Sequence, residues 1–210
     1  MATNNTAFSF NIELLKGESY GTYFIDSTKL SIGHNKRTKS NRVFGRLAKV
    51  GMSSYGWFKG YKLHLVINNK GAIMAIKITK ANAGDLSAVD SITKGLQGKL
   101  FGDKGYISKA LFTELYARDL RLFTTIGKDM KNHLLELEDK VNLRKRSLIE
   151  SVFNVLKRNM NLERSRHRSP VNFLVLILAC IAAYAIGKSS SSFMGFVIPL
   201  PPFLILYRRL

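Results

Sequence analysis

Three acidic residues lie inside or beside apolar segments of a strongly basic chain: Asp26 in YFIDSTKL, Asp103 in LFGDKGY and Glu150 in RSLIESVF. A carboxylate in or at the end of a buried strand is costly unless a cation or hydrogen-bond donors satisfy it. Three converging carboxylates would offer hard oxygen ligands to Mg²⁺, which keeps waters for substrate phosphates. Two such ions can activate the attacking oxygen and stabilise the leaving oxygen at a phosphodiester. The placement of these acids therefore raises the hypothesis of a metal-dependent phosphoryl-transfer site.

The same acids also have plainer interpretations. A single aspartate at a strand end is commonly a turn or cap residue. Arg146, Glu150 and Lys157 fall on one face of a predicted helix, and such a charged row is commonly a solvated face. Taken one at a time, these acids are compatible both with a metal site and with an ordinary solvated surface.

Charge and cysteine content narrow the class of protein. The 210 residues include 33 Lys and Arg against 14 Asp and Glu, which gives a formal net charge of +19. An excess of this size favours a polyanionic partner, with nucleic acid as the first candidate. The bases are interleaved with apolar residues, which indicates a folded enzyme or binding domain rather than a charged tail. Cys180 is the single cysteine, which excludes an intrachain disulfide and a cysteine-rich zinc site and fits a reducing cytoplasm.

The order of predicted elements indicates the fold class. The patterns predict a strand, a basic loop or arm, a hairpin, a helix, a strand, a helix, a strand and a long helix. Candidate N-caps are Asp85 or Ser87 for the first helix and Ser108 for the second, and Lys140 is a candidate break in the long helix. An antiparallel beginning followed by βα units predicts an α/β protein: a mixed sheet flanked by helices, with the ribonuclease H-like layout. In order, the segments are 21–32, 34–59, 60–69 with 72–80, 87–96, 99–106, 108–120, 121–127 and 132–160.

Four segments, in this order, resemble the catalytic core of bacterial insertion-sequence transposases of the DDE type: YFIDSTKL, GYKLHLVIN, FGDKGYIS and RKRSLIESVFNVLKR. The resemblance covers roughly residues 20–186. Asp26 matches the first aspartate, Asp103 the second, within an Asp-Lys-Gly-Tyr run, and Glu150 the glutamate. Arg146 and Lys157 match the Tyr-Arg-Glu-Lys signature of that group, whereas Leu143 stands where the tyrosine is expected.

The resemblance implies a transposase in which Mg²⁺ activates water to cut at the transposon end, after which the freed 3′-OH attacks target DNA. It implies two Mg²⁺ ions on the three acids, with Mn²⁺ as a substitute. Double-stranded DNA is the expected substrate, and a homodimer is expected in the DNA complex. The expected location is the bacterial cytoplasm, in association with the nucleoid. We expect DNA contacts from a set of basic residues, each of which is also compatible with an ordinary solvated base. They are Lys62, Lys104, Arg146 and Lys157, with Arg37, Arg42 and Arg166 from the basic segments 34–59 and 164–170.

The expected organisation has three parts: a short lead-in over 1–20, the catalytic core over 21–187 and an irregular apolar tail over 188–210. Relatives usually carry an N-terminal helical domain that recognises the transposon ends, so the chain is expected to be truncated. A catalytically inactive remnant that binds DNA non-specifically is therefore the alternative function. Residues 170–187 are either a core helix or a marginal membrane span. The core helix is favoured, and a membrane partner is not expected.

Overall fold

The computed structural model describes residues 8–9, 16–33, 43–45, 47–53, 56–125, 136–163 and 169–193. A 3₁₀ turn (Lys104–Tyr106) follows the sixth strand, and a π-helical turn (Val155–Asn159) continues the fourth helix. The strands are β1 (Phe8–Ser9), β2 (Thr22–Gly33), β3 (Lys49–Ser53), β4 (Gly56–Asn68), β5 (Ile73–Lys80), β6 (Gly98–Gly102) and β7 (Leu120–Thr124). The helices are α1 (Leu86–Ile92), α2 (Lys109–Tyr116), α3 (Leu137–Lys145), α4 (Ser147–Asn154) and α5 (Pro170–Phe193).

The described strands form one mixed sheet in the order β1-β5-β4-β2-β6-β7, with β3 paired to β4. The β1–β5, β5–β4 and β4–β2 pairs are antiparallel, whereas β6 runs parallel to β2 and β7 runs parallel to β6. This is the mixed sheet that the order of sequence elements predicts. Strand β2 lies at the point where antiparallel pairing on one side changes to parallel pairing on the other.

Helices cover both sides of the sheet because alternate residues of each strand point to opposite faces. We call the side that carries Phe24 and Phe101 the front face; its apolar residues pack against α4 and α5. We call the side that carries Ile25 and Leu100 the back face; it packs against α1 and α2. The molecule therefore has three layers, with the central strands buried on both faces.

The basic segment predicted as a loop or arm over 34–59 is more ordered than expected. Strand β3 and the first residues of β4 lie within it and pair with each other. Phe44 is completely buried and meets Phe173 of α5 edge-on, with ring centroids 5.8 Å apart. The prediction of a simple loop was wrong for these residues, because the aromatic side chains between the bases have apolar surface to bury. Residues 34–42, 46 and 54–55 of this segment lie outside the described residues.

The predicted long helix is divided at Arg146, not at Lys140. Arg146 ends α3 and directly precedes α4. The buried Asp139 carboxylate of α3 accepts a hydrogen bond from Lys99 Nζ at 2.7 Å, whereas α4 packs on the front face through apolar residues such as Ile149. Both segments pack on the front-face core, α3 through Leu143 and α4 through Ile149, and α3 is additionally held by the Lys99–Asp139 ion pair.

Helix α5 places one stripe of its surface in the front-face core, through Phe173, Ile177 and Ile181. By length and composition α5 is also apolar enough to cross a membrane. One such helix is weak evidence for a membrane span, because the core helix of a soluble protein can have the same length and composition. The buried stripe agrees with the core-helix interpretation of residues 170–187. The helix continues to Phe193, past the residue where an irregular tail was expected to begin.

Candidate active site

Asp26 lies in β2, the strand that has β4 on one side and β6 on the other. It follows Phe24 by two residues, so its side chain points to the front face. The backbone N–H of Ser27 donates to Asp26 Oδ1 at 2.8 Å, which orients the carboxylate. Strand β6 pairs with β2 only from Thr22 to Phe24. Asp26 therefore lies just past the point where the parallel neighbour ends, at the carboxyl edge where open α/β sheets bind ligands.

Asp103 occupies the corresponding place after β6. It is the N-cap of the 3₁₀ turn, and its Oδ1 accepts the backbone N–H of Lys104 at 2.8 Å. Thr125, directly after β7, donates its hydroxyl to the same carboxylate oxygen at 3.3 Å. The carboxylate is thus held between the end of one parallel strand and the end of the next.

The register of β2 and β6 brings the two aspartates together. Phe24 and Phe101 are register partners, and each aspartate lies two residues further along the chain, Asp26 within β2 and Asp103 directly after β6. Neighbouring strands are about 4.8 Å apart, and both side chains have the front-face parity. Asp26 and Asp103 consequently form an acidic pair at the carboxyl edge of the sheet.

The electrostatics of Asp26 reflect this position. Burial raises the pKa of its carboxyl from 3.8 to about 6, against the hydrogen bond from Ser27 and the nearby Arg146 guanidinium, which lower it. The charges of Asp103 and Glu150 raise the pKa further. All three acids that the sequence singles out therefore interact electrostatically around Asp26, with Arg146 as the compensating cation.

Glu150 reaches this region from α4. Its neighbour Ile149 is buried in the front-face core, which fixes the helix against the sheet. The Glu150 side chain itself is 61% exposed, and its Oε1 lies 3.8 Å from Arg146 Nη2, one helical turn earlier. The third acid is thus on the same side of the sheet as the two aspartates but faces the guanidinium of Arg146, which directly precedes its helix.

These residues fit a divalent metal by donor chemistry. Asp26 is buried with a raised pKa, which is the environment in which a bound cation would relieve the cost of the charged form. Asp103 supplies a second hard oxygen donor beside it. Within the described ranges, however, no three His, Cys, Asp or Glu side chains are grouped closely enough to hold a metal ion. A site built from all three acids would require Glu150 to turn away from Arg146.

The predicted DNA-contacting bases fall into four sets. Lys104 is exposed beside Asp103, and Arg146 lies between Asp26 and Glu150. Lys157, in the π-helical turn, is paired with Glu163. Lys62 points to the back face, where its Nζ lies 3.1 Å from Asp85 Oδ1 and 3.0 Å from the Ala83 carbonyl oxygen. The remaining three, Arg37, Arg42 and Arg166, lie outside the described residues.

Two residues around the acids were not singled out from the sequence. Ser27 orients Asp26, and Thr125 orients Asp103. The sequence signal for each residue was its position: Ser27 directly follows an acid, and Thr125 directly follows β7, the strand next to β6.

A cavity of about 450 Å³ lies elsewhere, lined by residues including Thr22 and Val141. Since Thr22 begins β2, this cavity is at the opposite edge of the sheet from the acidic pair.

A model of a family described as "Transposase DDE domain" matches residues 16–170, which is well over half of the chain and includes all three acids. The chain belongs to this transposase family. Transposases of this family generally use divalent metal ions. The acidic pair thus lies within the matched domain, at the residues that the motif resemblance selects.

This transposase domain resembles a solved structure in fold. It is similar to a piggyBac transposase synaptic complex with hairpin DNA, at a TM-score of 0.53 and 10% identity over 87% of this chain and 50% of that one. A simian T-cell lymphotropic virus intasome in complex with the PP2A regulatory subunit B56 gamma matches at a TM-score of 0.43 and 12% identity, over 90% and 62%. The transposase domain spans half the length of the piggyBac chain. No curated protein sequence matches it.

The predicted fold class is confirmed: the transposase domain has the ribonuclease H-like mixed sheet flanked by helices. In that arrangement, the first aspartate is carried by the central strand and the second by its parallel neighbour. The sheet register, rather than any loop, sets their separation.

Proposed function

We propose that this chain is the catalytic domain of a transposase that cleaves DNA and transfers the cut strand to a new site. The single observation that carries the proposal is the acidic pair: Asp26 lies in β2 just past the last residue that pairs with β6, and Asp103 directly follows β6. Each carboxylate is oriented by the backbone N–H of the following residue at 2.8 Å. Such preorganisation is what a site acting on a charged phosphodiester needs.

In this proposal Asp26, Asp103 and Glu150 hold two divalent ions, Mg²⁺ or its substitute Mn²⁺. When bound, such ions activate the attacking oxygen and stabilise the leaving oxygen. The chain's own contribution is to keep Asp26 and Asp103 at a fixed separation and to present Glu150 from α4. Arg146 neutralises these acids in the absence of metal and moves to a phosphate when Glu150 becomes a ligand.

Double-stranded DNA is the proposed substrate because the chain carries a net charge of +19 around an acidic site. Lys104 and Arg146 are placed beside the acids and would contact phosphates at the scissile position. Lys157 would contact DNA after releasing Glu163. A DNA contact by Lys62 would require it to leave Asp85 and the back face, so we do not include it. Arg37, Arg42 and Arg166 remain proposed contacts from the basic segments.

We further propose that two copies act together on paired DNA ends in the cytoplasm. Cutting and joining two transposon ends is a reaction with two equivalent substrates, which a two-fold symmetric dimer can hold. Sedimentation with and without a duplex of transposon-end sequence tests this: we expect dimers on the DNA. A monomer that performs strand transfer would contradict it.

A second candidate is a DNA-binding remnant without catalytic activity, and one observation favours it. Glu150 is ion-paired with Arg146, and the described acids are not grouped around a metal position. Nicking of supercoiled DNA separates the two functions. The catalytic proposal predicts nicking with Mg²⁺ or Mn²⁺ and none with a chelator. Tight binding without nicking under any of these conditions would support the remnant.

A further inference from the structure

Asp85 stands at the N-cap of α1 but does not cap the helix. Its side chain makes no capping hydrogen bond. Instead Oδ1 accepts the Ser27 hydroxyl at 2.9 Å and Lys62 Nζ at 3.1 Å. An aspartate that caps a helix typically contributes about 1 kcal/mol, so the fold forgoes this contribution in order to use the carboxylate elsewhere. Neither of the two candidate caps, Asp85 or Ser87, caps the helix: Asp85 has helical backbone angles and its side chain bonds elsewhere, and the Ser87 hydroxyl donates to the Gly84 carbonyl oxygen.

The group that Asp85 holds is the residue next to the first catalytic aspartate. Ser27 donates its backbone N–H to Asp26 on the front face and its hydroxyl to Asp85 on the back face. A change in the orientation of the Ser27 peptide would therefore change the orientation of the Asp26 carboxylate. Lys62 fixes Asp85 in turn, since its ammonium also bonds the Ala83 carbonyl oxygen at 3.0 Å.

Strand β2 needs such a restraint at this point. Its pairing with β6 ends at Phe24, so from Ile25 onward the ladder pairs it with β4 alone. A strand with one hydrogen-bonded neighbour is held less firmly than one with two. Asp85 reaches β2 from the N-terminus of α1 and supplies a side-chain attachment at the level where the parallel neighbour is lost.

The second aspartate has a related support on the back face. Gly102 directly precedes Asp103, and an added Cβ there would lie 3.1 Å from the Tyr106 ring and 3.2 Å from Ile25 Cγ2. The buried Tyr106 side chain also lies beside Ser27. The backbone next to each aspartate therefore rests on the same back-face side chain, Tyr106.

We infer that Ser27, Asp85 and Lys62 form a positioning network that holds the Asp26 carboxylate from behind the sheet. The inference rests on the proposed function, because it assigns the network to the catalytic acids. It also gives Lys62 a role different from a DNA contact. The network touches neither DNA nor metal and acts only through the Ser27 peptide.

The test compares Asp85→Ala with Asp90→Ala. Asp85 directly precedes α1, and Asp90 lies within it. Asp85 is ion-paired with Lys62, and Asp90 is ion-paired with Arg118. Both substitutions raise the net charge equally, so any general effect on DNA affinity is matched. We expect Asp85→Ala to lower kcat for Mg²⁺-dependent nicking about tenfold, with little change in the KM for DNA. Asp90→Ala should stay within about twofold of the parent.

Ser27 variants and hydrogen exchange give independent readouts. Ser27→Ala should reproduce the loss in kcat, whereas Ser27→Thr keeps the hydroxyl and should restore it. Amide exchange in peptides that cover Asp26 should be faster in Asp85→Ala and Ser27→Ala than in Asp90→Ala. Equal exchange and equal kcat in Asp85→Ala and Asp90→Ala would overturn the inference.

The same measurements distinguish failure of the positioning network from failure of the proposed catalytic function. If the parent chain does not nick DNA, the catalytic proposal fails, and the exchange measurement alone decides whether the network restrains β2. If the parent nicks and exchange rises without loss of kcat, the network supports the fold only and the positioning role is wrong. If Asp85→Ala does not fold, the Ser27→Ala and Ser27→Thr pair decides in its place.

Discussion

Asp26 and Asp103 lie side by side, each two residues beyond a pair of register partners, Phe24 and Phe101, on adjacent parallel strands. Each carboxylate accepts the backbone N–H of the next residue at 2.8 Å. The same local geometry is thus repeated on two strands, and sheet register keeps the two acids together. The proposed metal site would lie at this carboxyl edge of the sheet.

Asp26→Asn should stabilise the metal-free protein at neutral and alkaline pH. Burial raises the folded-state pKa of this carboxyl from 3.8 to about 6, so the folded chain binds the proton more tightly than the unfolded chain. The stability gained from that proton is full below about pH 3.8 and lost as the pH rises through about 6. We expect Asn to raise the free energy of unfolding by roughly 1–3 kcal/mol at pH 8.

Urea unfolding between pH 4 and 8 in a chelator checks this, with Asp119→Asn, an exposed turn residue with positive φ, as the control. The gain for Asp26→Asn should shrink toward pH 4 and be absent from the control. A variant that is no more stable than the parent at pH 8 would show that Asp26 is not strained in its charged form.

Lys104→Gln should weaken DNA binding through one phosphate contact. The Lys104 side chain is exposed directly beside Asp103, whereas the exposed Lys94 lies near the amino end of β6, at the other edge of the sheet. The slope of log K against log salt should become less steep by about 1 for Lys104→Gln. Lys94→Gln should leave the slope unchanged. Equal effects of the two substitutions on fluorescence-anisotropy titrations would place the DNA elsewhere.

Phe44→Ala should destabilise the protein although the residue lies in a basic segment. The side chain is completely buried and packs edge-on against Phe173. We expect a loss of about 3–5 kcal/mol in the free energy of unfolding. The neighbouring Val43, which is 48% exposed, gives a matched control as Val43→Ala. A loss no larger than that of the control would mean that this segment does not contribute to the core.

Ile181→Asp and Val175→Asp distinguish a core helix from a membrane span. Ile181 is buried in the front-face core, whereas Val175 is exposed on the outer side of α5. In a soluble core helix, Ile181→Asp should abolish folding because it buries an unpaired charge, and Val175→Asp should be tolerated. Soluble expression and thermal unfolding report both. Release of the parent from membranes only by detergent, and not by alkaline wash, would contradict the core interpretation.

The sequence predicted the elements that show clear apolar periodicity and also carry or adjoin the functional motifs. Strand β2, the β4–β5 hairpin and the βα units follow from alternation and turn residues, and Ser108 does cap α2, accepting the Leu111 N–H. Strand β3 and the burial of Phe44 were not predicted, because the lysines and arginines around them dominate the local sequence pattern. Their structure depends on packing against β4 and α5, which local composition does not encode.

The site was predictable as a set of acids but not as a geometry. Motif resemblance selects Asp26 and Asp103, whereas their side-by-side placement depends on the register of β2 and β6. The role of Asp85 could not be read from its neighbours, since its partner Ser27 is 58 positions away. A cap position predicts a local hydrogen bond, and here a tertiary contact replaces it.

The most direct test of the catalytic assignment is metal-dependent strand cleavage by Asp103→Asn, with Asp119→Asn as the charge-matched control. The amide keeps the shape of Asp103 but removes the negative charge that a hard cation requires. DNA affinity should be unchanged or slightly higher, because it depends on the basic residues. We predict that the parent and Asp119→Asn nick supercoiled DNA with Mg²⁺, and that Asp103→Asn does not. Cleavage by Asp103→Asn at the parent's rate would show that Asp103 is not a metal ligand.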